Sequence, residues 1–135
     1  MANELPGEIK GPIDTVLRAF NTKQFASFTS VFAPEATIGD GFAPFRWAGS
    51  DAPARWWKDA EKWAHELNVA SEHIAVQAIH HSQIVGTRAY AVLSATLTIT
   101  LQKGQPIRRP GILVYTLVRI GEEWKVESQT WGRLG

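Results

Sequence analysis

The side chain best suited to acid–base chemistry is Asp40, which stands between Gly39 and Gly41. It lies in a stretch, residues 32–49, that separates helical patterns from a strand-rich second half. A carboxylate at the rim of an apolar pocket has its pKa raised by desolvation, and it can then move a proton between carbon atoms. The alternative is a structural role, because Asp is favoured between glycines in tight turns.

Histidines are the second source of proton-transfer groups. We predict His73 as a catalytic assistant to Asp40, because a paired Asp can orient a His that moves a proton. His80 and His81 are adjacent and must point to opposite faces of a strand. The alternative is that all three are surface residues. No His-x-His or His-x3-His spacing appears and there is no cysteine, so we predict no metal site, no disulfide and no cofactor.

Tryptophans are numerous, with six in 135 residues. We predict that Trp47, Trp57 and Trp131 line a pocket, because they lie near the ends of predicted helices and strands. Trp56 and Trp63 share one helix face and are predicted to be core residues. A buried indole N–H needs an acceptor, which a polar ligand could provide.

Arginines could recognise an anion. Arg46, beside Trp47, either binds a carboxylate or enolate or is an exposed strand residue. Arg108 and Arg109 precede Pro110, and proline is confined to the edges and bulges of sheets. We therefore predict that both are solvated residues near the edge of the sheet.

Three helices are predicted to position these residues. The first begins near Gly11-Pro12 or earlier, with apolar residues at the three-to-four spacing of one helix face. A second, short helix spans residues 25–32 and ends before Pro34. The third is capped by Ser50 or Asp51 and ends near residue 68. The apolar face of the first helix consists of Ile13, Val16, Leu17 and Phe20, with Ile9 as a possible extension.

The second half of the chain reads as strands. Alternating patterns predict long strands over residues 72–84, 88–101, 107–120 and 124–131, after two short ones at 36–39 and 45–47. Helices followed by antiparallel strands are typical of an α+β fold with the helices on one face of a sheet. A long twisted sheet under three helices tends to curl into a cone, whose mouth is a natural small-molecule site.

Composition places further bounds on the function. A chain of 135 residues fits a single domain, residues 1–135. The net charge of +1 gives no reason to expect nucleic acid or a membrane surface as partner. Residues 1–10 form a loose lead-in without the apolar core of a signal peptide, and no apolar run is long enough to span a membrane. We therefore predict a soluble, cytoplasmic protein.

Several segments resemble the NTF2-like superfamily, which includes ketosteroid isomerase, scytalone dehydratase and the SnoaL polyketide cyclases. They are Leu17-Arg18-Ala19-Phe20-Asn21, Val31-Phe32-Ala33-Pro34-Glu35-Ala36-Thr37 and Gly121-Glu122-Glu123-Trp124-Lys125-Val126. The segment Phe45-Arg46-Trp47-Ala48-Gly49, followed by a Trp-rich helix, is similar to the SnoaL-like branch. The resemblance implies a cone-shaped, cystatin-like fold with three helices on a curved, mostly antiparallel mixed sheet. With the mixed polar and apolar strand faces, it also implies a homodimer formed through the sheet.

One functional residue carries over from ketosteroid isomerases. Their general base matches Asp40 in Ala33-Pro34-Glu35-Ala36-Thr37-Ile38-Gly39-Asp40-Gly41. Their oxyanion-stabilising Tyr and Asp match Val16 and Thr116, and we expect Tyr115 to face the other side of the sheet. Without these donors the largest catalytic contribution is missing, so ketosteroid isomerisation itself is not expected.

The resemblance and the residues together predict a protein that binds a hydrophobic, ring-containing small molecule. It would be a cofactor-independent isomerase, dehydratase or cyclase with Asp40 and His73 as catalytic residues. The alternative is a non-catalytic ligand-binding or dimeric interaction module. The predicted ligand-binding residues are Val16, Phe20, Trp47, Trp57, Thr116 and Trp131.

Overall fold

A computed structural model describes residues 4–135, so the first three residues of the predicted lead-in lie outside the described part of the chain. The first half forms helices α1 (Gly7–Thr22) and α2 (Phe25–Ser30), strands β1 (Phe32–Gly39) and β2 (Arg46–Ala48), and helix α3 (Ala52–Glu66). The second half forms strands β3 (Val69–Val85), β4 (Arg88–Leu101), β5 (Ile107–Ile120) and β6 (Glu123–Arg133).

The six strands form one mixed sheet in the order β2-β1-β6-β5-β4-β3. Strands β1 and β6 run parallel, with Gly39 opposite Thr130, and every other neighbouring pair is antiparallel. This parallel pairing places β1, the first strand of the chain, beside β6, the last. The architecture confirms the predicted α+β fold, with three helices on a curved, mostly antiparallel mixed sheet.

The helices cover one face of the sheet. Buried side chains alternate along β4 and β5, which is the pattern of a sheet with one face against a core. Helix α1 buries Ile9, Ile13 and Val16 of its predicted stripe, whereas Leu17 and Phe20 are half-buried, and α3 buries residues of its first two turns. The core joins both layers and includes Ile9, Ile13, Phe28, Trp56, Leu93, Leu113, Tyr115, Leu117 and Val126. No helix among residues 4–135 is long and apolar enough to cross a membrane.

The ends of several elements differ from prediction. Strands β4 and β5 have the predicted bounds, but α1 begins at Gly7, and Leu5, in the lead-in that we predicted to be loose, is packed in the core. Strand β1 begins at Phe32 and includes Pro34, which we expected to precede the strand. Proline is tolerated there because the β1–β6 register shifts between Phe32 and Thr37, and β2 pairs only with the end of β1.

A side-chain clamp fixes edge strand β3 to the end of α1. Asn21 Nδ2 donates a hydrogen bond to the carbonyl oxygen of Ile74 (2.9 Å), and the Ile74 N–H donates to Asn21 Oδ1 (2.8 Å). An edge strand leaves such backbone groups without a strand partner, and one amide side chain satisfies both here. The clamp therefore holds β3 at the distance from α1 that leaves room for a cavity.

Candidate active site

A cavity of about 270 Å³ lies between the helices and the covered face of the sheet. Its wall is mainly aliphatic and aromatic, which suits an apolar, ring-containing compound. The helical side consists of Val16, Leu17, Phe20, Phe28, Trp56, Ala60, Trp63 and Leu67, joined by Gly41 and Phe42 from the loop after β1. The sheet contributes Ile74, Leu97, Ile99, Leu113 and Trp131, and the polar groups are Asp40, Glu72, Arg109, Gln129 and Arg133.

Asp40 faces the cavity from the end of β1. Its Oδ2 accepts a hydrogen bond from Trp56 Nε1 (2.9 Å), and its Oδ1 accepts one from the Gly41 N–H (2.6 Å). Burial raises the pKa of Asp40, and the two hydrogen bonds offset this rise only in part. A half-buried carboxyl group with a raised pKa is better suited to exchanging protons than an ordinary surface carboxylate.

Glu72 on β3 is a second carboxyl group in the cavity, and our sequence analysis did not single it out. Its side chain is 12% exposed, and its Oε1 lies 3.5 Å from Nζ of Lys23. Burial raises the pKa of Glu72, the Lys23 charge lowers it, and the charge of Asp40 raises it again. The two carboxyl groups therefore interact electrostatically across the cavity. The alternating pattern of β3 could have indicated that Glu72 faces the cavity, because Glu72 shares a strand face with the apolar Ile74.

His73 does not face the cavity together with Asp40 and Glu72. It is exposed and projects from β3 on the opposite side to Glu72 and Ile74, away from the cavity. The prediction of His73 as a catalytic assistant is therefore wrong in its placement. Among residues 4–135 there is also no cluster of three or more His, Asp or Glu side chains that could hold a metal ion.

Thr116 was placed on the wrong face in our sequence analysis. It points to the uncovered side of the sheet, where its hydroxyl is hydrogen-bonded to that of Ser128. Tyr115, which we expected to face away from the helices, is fully buried in the core beneath them. Antiparallel pairing sets Tyr115 opposite Gln129, a cavity residue, so the alternation of β5 turns Thr116 outward.

Of the predicted tryptophans, only Trp131 lines the cavity. Trp47 is buried behind it, where its Nε1 donates to Asp59 Oδ2 (2.8 Å) and its ring packs 5.1 Å from that of Phe42. Trp57 packs against Phe28, with the ring centroids 5.0 Å apart. Trp47 and Trp57 thus support cavity residues without lining the cavity themselves.

Trp56 is a core residue, as predicted, and also lines the cavity, whereas Trp63, predicted to be a core residue, lines the cavity outside the buried core. The heptad-like spacing places Trp56, Ala60 and Trp63 of α3, and Leu67 just after it, on one face that covers the cavity, and Trp56 at its start also packs in the core. Trp57 is one residue further and is therefore turned by about 100° from this face. Val16 and Phe20 of α1 line the opposite helical wall, where we predicted ligand-binding residues.

The floor of the cavity depends on a glycine. The indole of Trp131 lies over Gly111 of β5, so closely that a Cβ at Gly111 would be 2.3 Å from Trp131 Cη2. Real Cβ atoms do not approach other carbons to this distance. The absence of a side chain at Gly111 thus allows the Trp131 ring to lie flat on the sheet.

Three buried polar atoms have no hydrogen-bond partner among the described residues: Arg109 Nε, Gln129 Oε1 and the Tyr115 hydroxyl. Such atoms are costly in a folded protein unless a ligand or water satisfies them. Arg109 and Gln129 both line the cavity. Arg109 is not the solvated edge residue that we predicted, because β5 lies inside the sheet between β4 and β6.

Comparison with known proteins identifies the protein family. A family model described as a SnoaL-like domain matches residues 9–130, so the chain belongs to the SnoaL-like family of the NTF2-like superfamily. This confirms the resemblance noted in the sequence. No curated protein sequence matches the chain.

Solved structures share the fold at low sequence identity. The hexachlorocyclohexane dehydrochlorinase LinA-type3 from Novosphingobium barchaimii is 12% identical with a TM-score of 0.79, covering 95% of this chain and 85% of that one. A candidate scytalone dehydratase from Novosphingobium aromaticivorans is 12% identical with a TM-score of 0.77, covering 95% and 83%. An NTF2-like superfamily protein from Salmonella enterica is 13% identical with a TM-score of 0.76, covering 95% and 89%. These likenesses concern the fold alone.

Proposed function

We propose that this SnoaL-like protein binds an apolar, ring-containing small molecule and transfers a proton on it, with Asp40 as the general acid and base and with no cofactor. The reaction class is an isomerisation, a dehydration or a cyclisation. The observation that supports the proposal best is the position of Asp40, a carboxyl group with a raised pKa in a mainly apolar cavity. Perturbed carboxyl groups in clefts are characteristic of proton-transfer sites.

The hydrogen bonds of Asp40 leave it free to react. Each of its oxygens accepts one donor, from Trp56 or from the Gly41 N–H, and a carboxylate oxygen has a second lone pair available for a substrate proton. Trp56 also fixes the orientation of the group, because its indole is held on α3. In an isomerisation, Asp40 takes a proton from one carbon and returns it to another, and the double bond moves accordingly.

Glu72 suits the complementary step of a dehydration. Asp40 would take the proton from carbon, the C–H electron pair would form the double bond, and the hydroxyl group would leave with its own electron pair. A protonated Glu72 would supply the proton that converts this leaving group to water. The raised pKa of Glu72 favours the protonated form that this step requires.

Proton transfer at carbon can be tested without knowing the natural reaction. We would incubate the protein with 2-tetralone, a ring-containing enolisable ketone, in D₂O and follow deuterium incorporation by NMR. We expect the wild type to accelerate exchange and Asp40→Asn to lose about 10²- to 10⁴-fold of that acceleration, the usual contribution of a general base. Glu35→Gln is the control, because Glu35 is an exposed carboxylate outside the cavity.

The outcomes separate the candidate functions. Equal exchange by the wild type and Asp40→Asn would exclude Asp40 as the base. Binding of 2-tetralone without any exchange would overturn the enzymatic proposal and favour a non-catalytic ligand-binding module. Binding itself can be followed through the indole N–H signals of Trp56 and Trp131 in parallel samples prepared in H₂O.

We also propose that the protein forms a homodimer through the uncovered face of the sheet. This face carries β-branched apolar side chains on β4 and β5, namely Val92, Ile112, Val114 and Val118, and Val92 pairs directly with Val114. Light scattering at micromolar concentration tests the proposal. We expect a dimer for the wild type and a monomer for Val114→Asp, and a monomeric wild type would refute it.

A further inference from the structure

Arg109 places a positive charge in the cavity that no acidic side chain neutralises. It lies on β5, lines the cavity and has a buried Nε atom without a hydrogen-bond partner. None of the ion pairs among residues 4–135 includes it. A buried N–H donor without a partner is unfavourable unless a ligand or water accepts its hydrogen bond.

The two carboxyl groups of the cavity do not fill this role. Lys23 is the cation that acts on Glu72, and Arg109 is not among the causes of the pKa changes of Glu72 or Asp40. The sheet register explains why Arg109 and Glu72 lie far apart. Glu72 pairs with Ile99, and Ile99 pairs with Ile107, so Glu72 is two strands across from β5 and two residues along from Arg109. This amounts to roughly 10 Å across and roughly 7 Å along the sheet.

We propose that Arg109 binds a carboxylate of the ligand, so that the natural substrate is an acidic, ring-containing compound. The inference rests on the proposed small-molecule function and adds a substrate class to it. A guanidinium group presents paired N–H donors that match the two oxygens of a carboxylate. Arg133, the other arginine that lines the cavity, is exposed, and its Nε donates to the carbonyl oxygen of Gly135.

The geometry also orients the ligand. On the cavity face of β5, Gly111 separates Arg109 from Leu113, and the Trp131 indole lies over Gly111. A ring stacked on Trp131 would therefore place its carboxylate toward Arg109. Gly39 pairs with Thr130, the residue before Trp131, so Asp40 lies at the other side of that ring.

The test compares two compounds of nearly the same shape, one anionic and one neutral. Isothermal titration calorimetry would measure binding of 2-naphthoate and of its neutral isostere, 2-naphthamide. We expect the wild type to bind 2-naphthoate about ten- to hundred-fold more tightly, as is usual for a hydrogen-bonded charge pair. Arg109→Gln should lose this preference while it retains its affinity for 2-naphthamide, which also shows that the variant is folded.

Arg108→Gln is the matched control. Arg108 is the exposed neighbour of Arg109 on β5 and does not line the cavity, so its removal should leave the preference unchanged. Equal affinities for the two compounds in the wild type, a preference that persists in Arg109→Gln, or failure of both compounds to bind would each overturn the proposal.

Failure of this proposal can be distinguished from failure of the proposed proton transfer. The exchange test uses a neutral ketone and does not need Arg109, whereas the binding test needs no chemistry. Repeating the calorimetry with Asp40→Asn should preserve the preference for 2-naphthoate. An intact preference together with unchanged deuterium exchange in Asp40→Asn would reject the catalytic role of Asp40 and leave the anion site standing.

Discussion

Substitution of Gly111 by alanine should push the Trp131 ring into the cavity. A Cβ at Gly111 would be 2.3 Å from Cη2 and 2.4 Å from Cζ2 of the indole. Carbon atoms pack at about 3.5–4.0 Å, so the ring must move by about 1.2 Å or more. Beneath the ring is the sheet itself, so the movement is directed into the cavity.

The free-energy cost should be that of overpacking. Forcing extra carbon into a packed site typically costs about 1–3 kcal/mol, and we expect Gly111→Ala to lower the free energy of unfolding by this amount. Gly132→Ala is the control. Its Cβ would meet nothing closer than the Ile112 carbonyl oxygen at 3.6 Å, an ordinary contact. Because alanine restricts the unfolded chain more than glycine, this control should be neutral or stabilising by about 0.4–1 kcal/mol.

Urea denaturation followed by circular dichroism measures both variants, and a double-mutant cycle identifies the cause. In the Trp131→Leu background the ring is gone, so Gly111→Ala should cost little. We expect a coupling energy within the range of about 0.5–3 kcal/mol seen for residues in contact. The same cost for Gly111→Ala in both backgrounds would refute the reasoning, because the cost would then arise from the backbone and not from the indole.

Three further predictions concern the polar groups. Burial raises the folded-state pKa of Asp40 above the value of about 3.9 in an unfolded chain. The contribution of Asp40 to the free energy of unfolding therefore falls as the pH rises from about 4 through the folded-state pKa. Urea denaturation between pH 4 and 8 should show Asp40→Asn gaining stability relative to wild type across this window. Asn21→Ala removes both hydrogen bonds to Ile74 and should cost about 1–3 kcal/mol in the same assay. Lys23→Gln removes the cation that lowers the pKa of Glu72, so the NMR-measured pKa of Glu72 should rise.

Most of the fold could be predicted from periodicity. The alternation in β4 and β5 determined their bounds, because these strands have one face in the core along most of their length. The ends of β1 and β3 were less predictable. Strand β3 lies at the edge of the sheet and has few buried residues, so its hydrophobic pattern is weak over its 17 residues. The start of β1 depends on a parallel partner that is about 90 residues later in the chain.

The candidate site was predictable only where a residue lay on a strongly periodic element. The apolar stripe of α1 predicted that Val16 and Phe20 line the site, and the family resemblance predicted the position of Asp40. Errors arose where a shift of one position reverses the face of a strand, as at Thr116 and His73. A sequence pattern also does not distinguish a helix face over a cavity from one over solid core, which is why the pattern predicted a core position for Trp63.

The placement of Asp40 is itself an argument for function. The fold needs an acceptor for the Trp56 N–H, and the amide oxygen of an asparagine could accept that hydrogen bond without carrying a charge. The carboxyl group costs stability at neutral pH, since burial raises its pKa and the charge of Glu72 lies nearby. Arg109 adds a cation that neither carboxyl group neutralises, and its buried Nε has no hydrogen-bond partner among residues 4–135. Charged groups that lower stability and face one apolar cavity are better explained by a ligand than by packing, because packing alone would be served by neutral residues of the same shape.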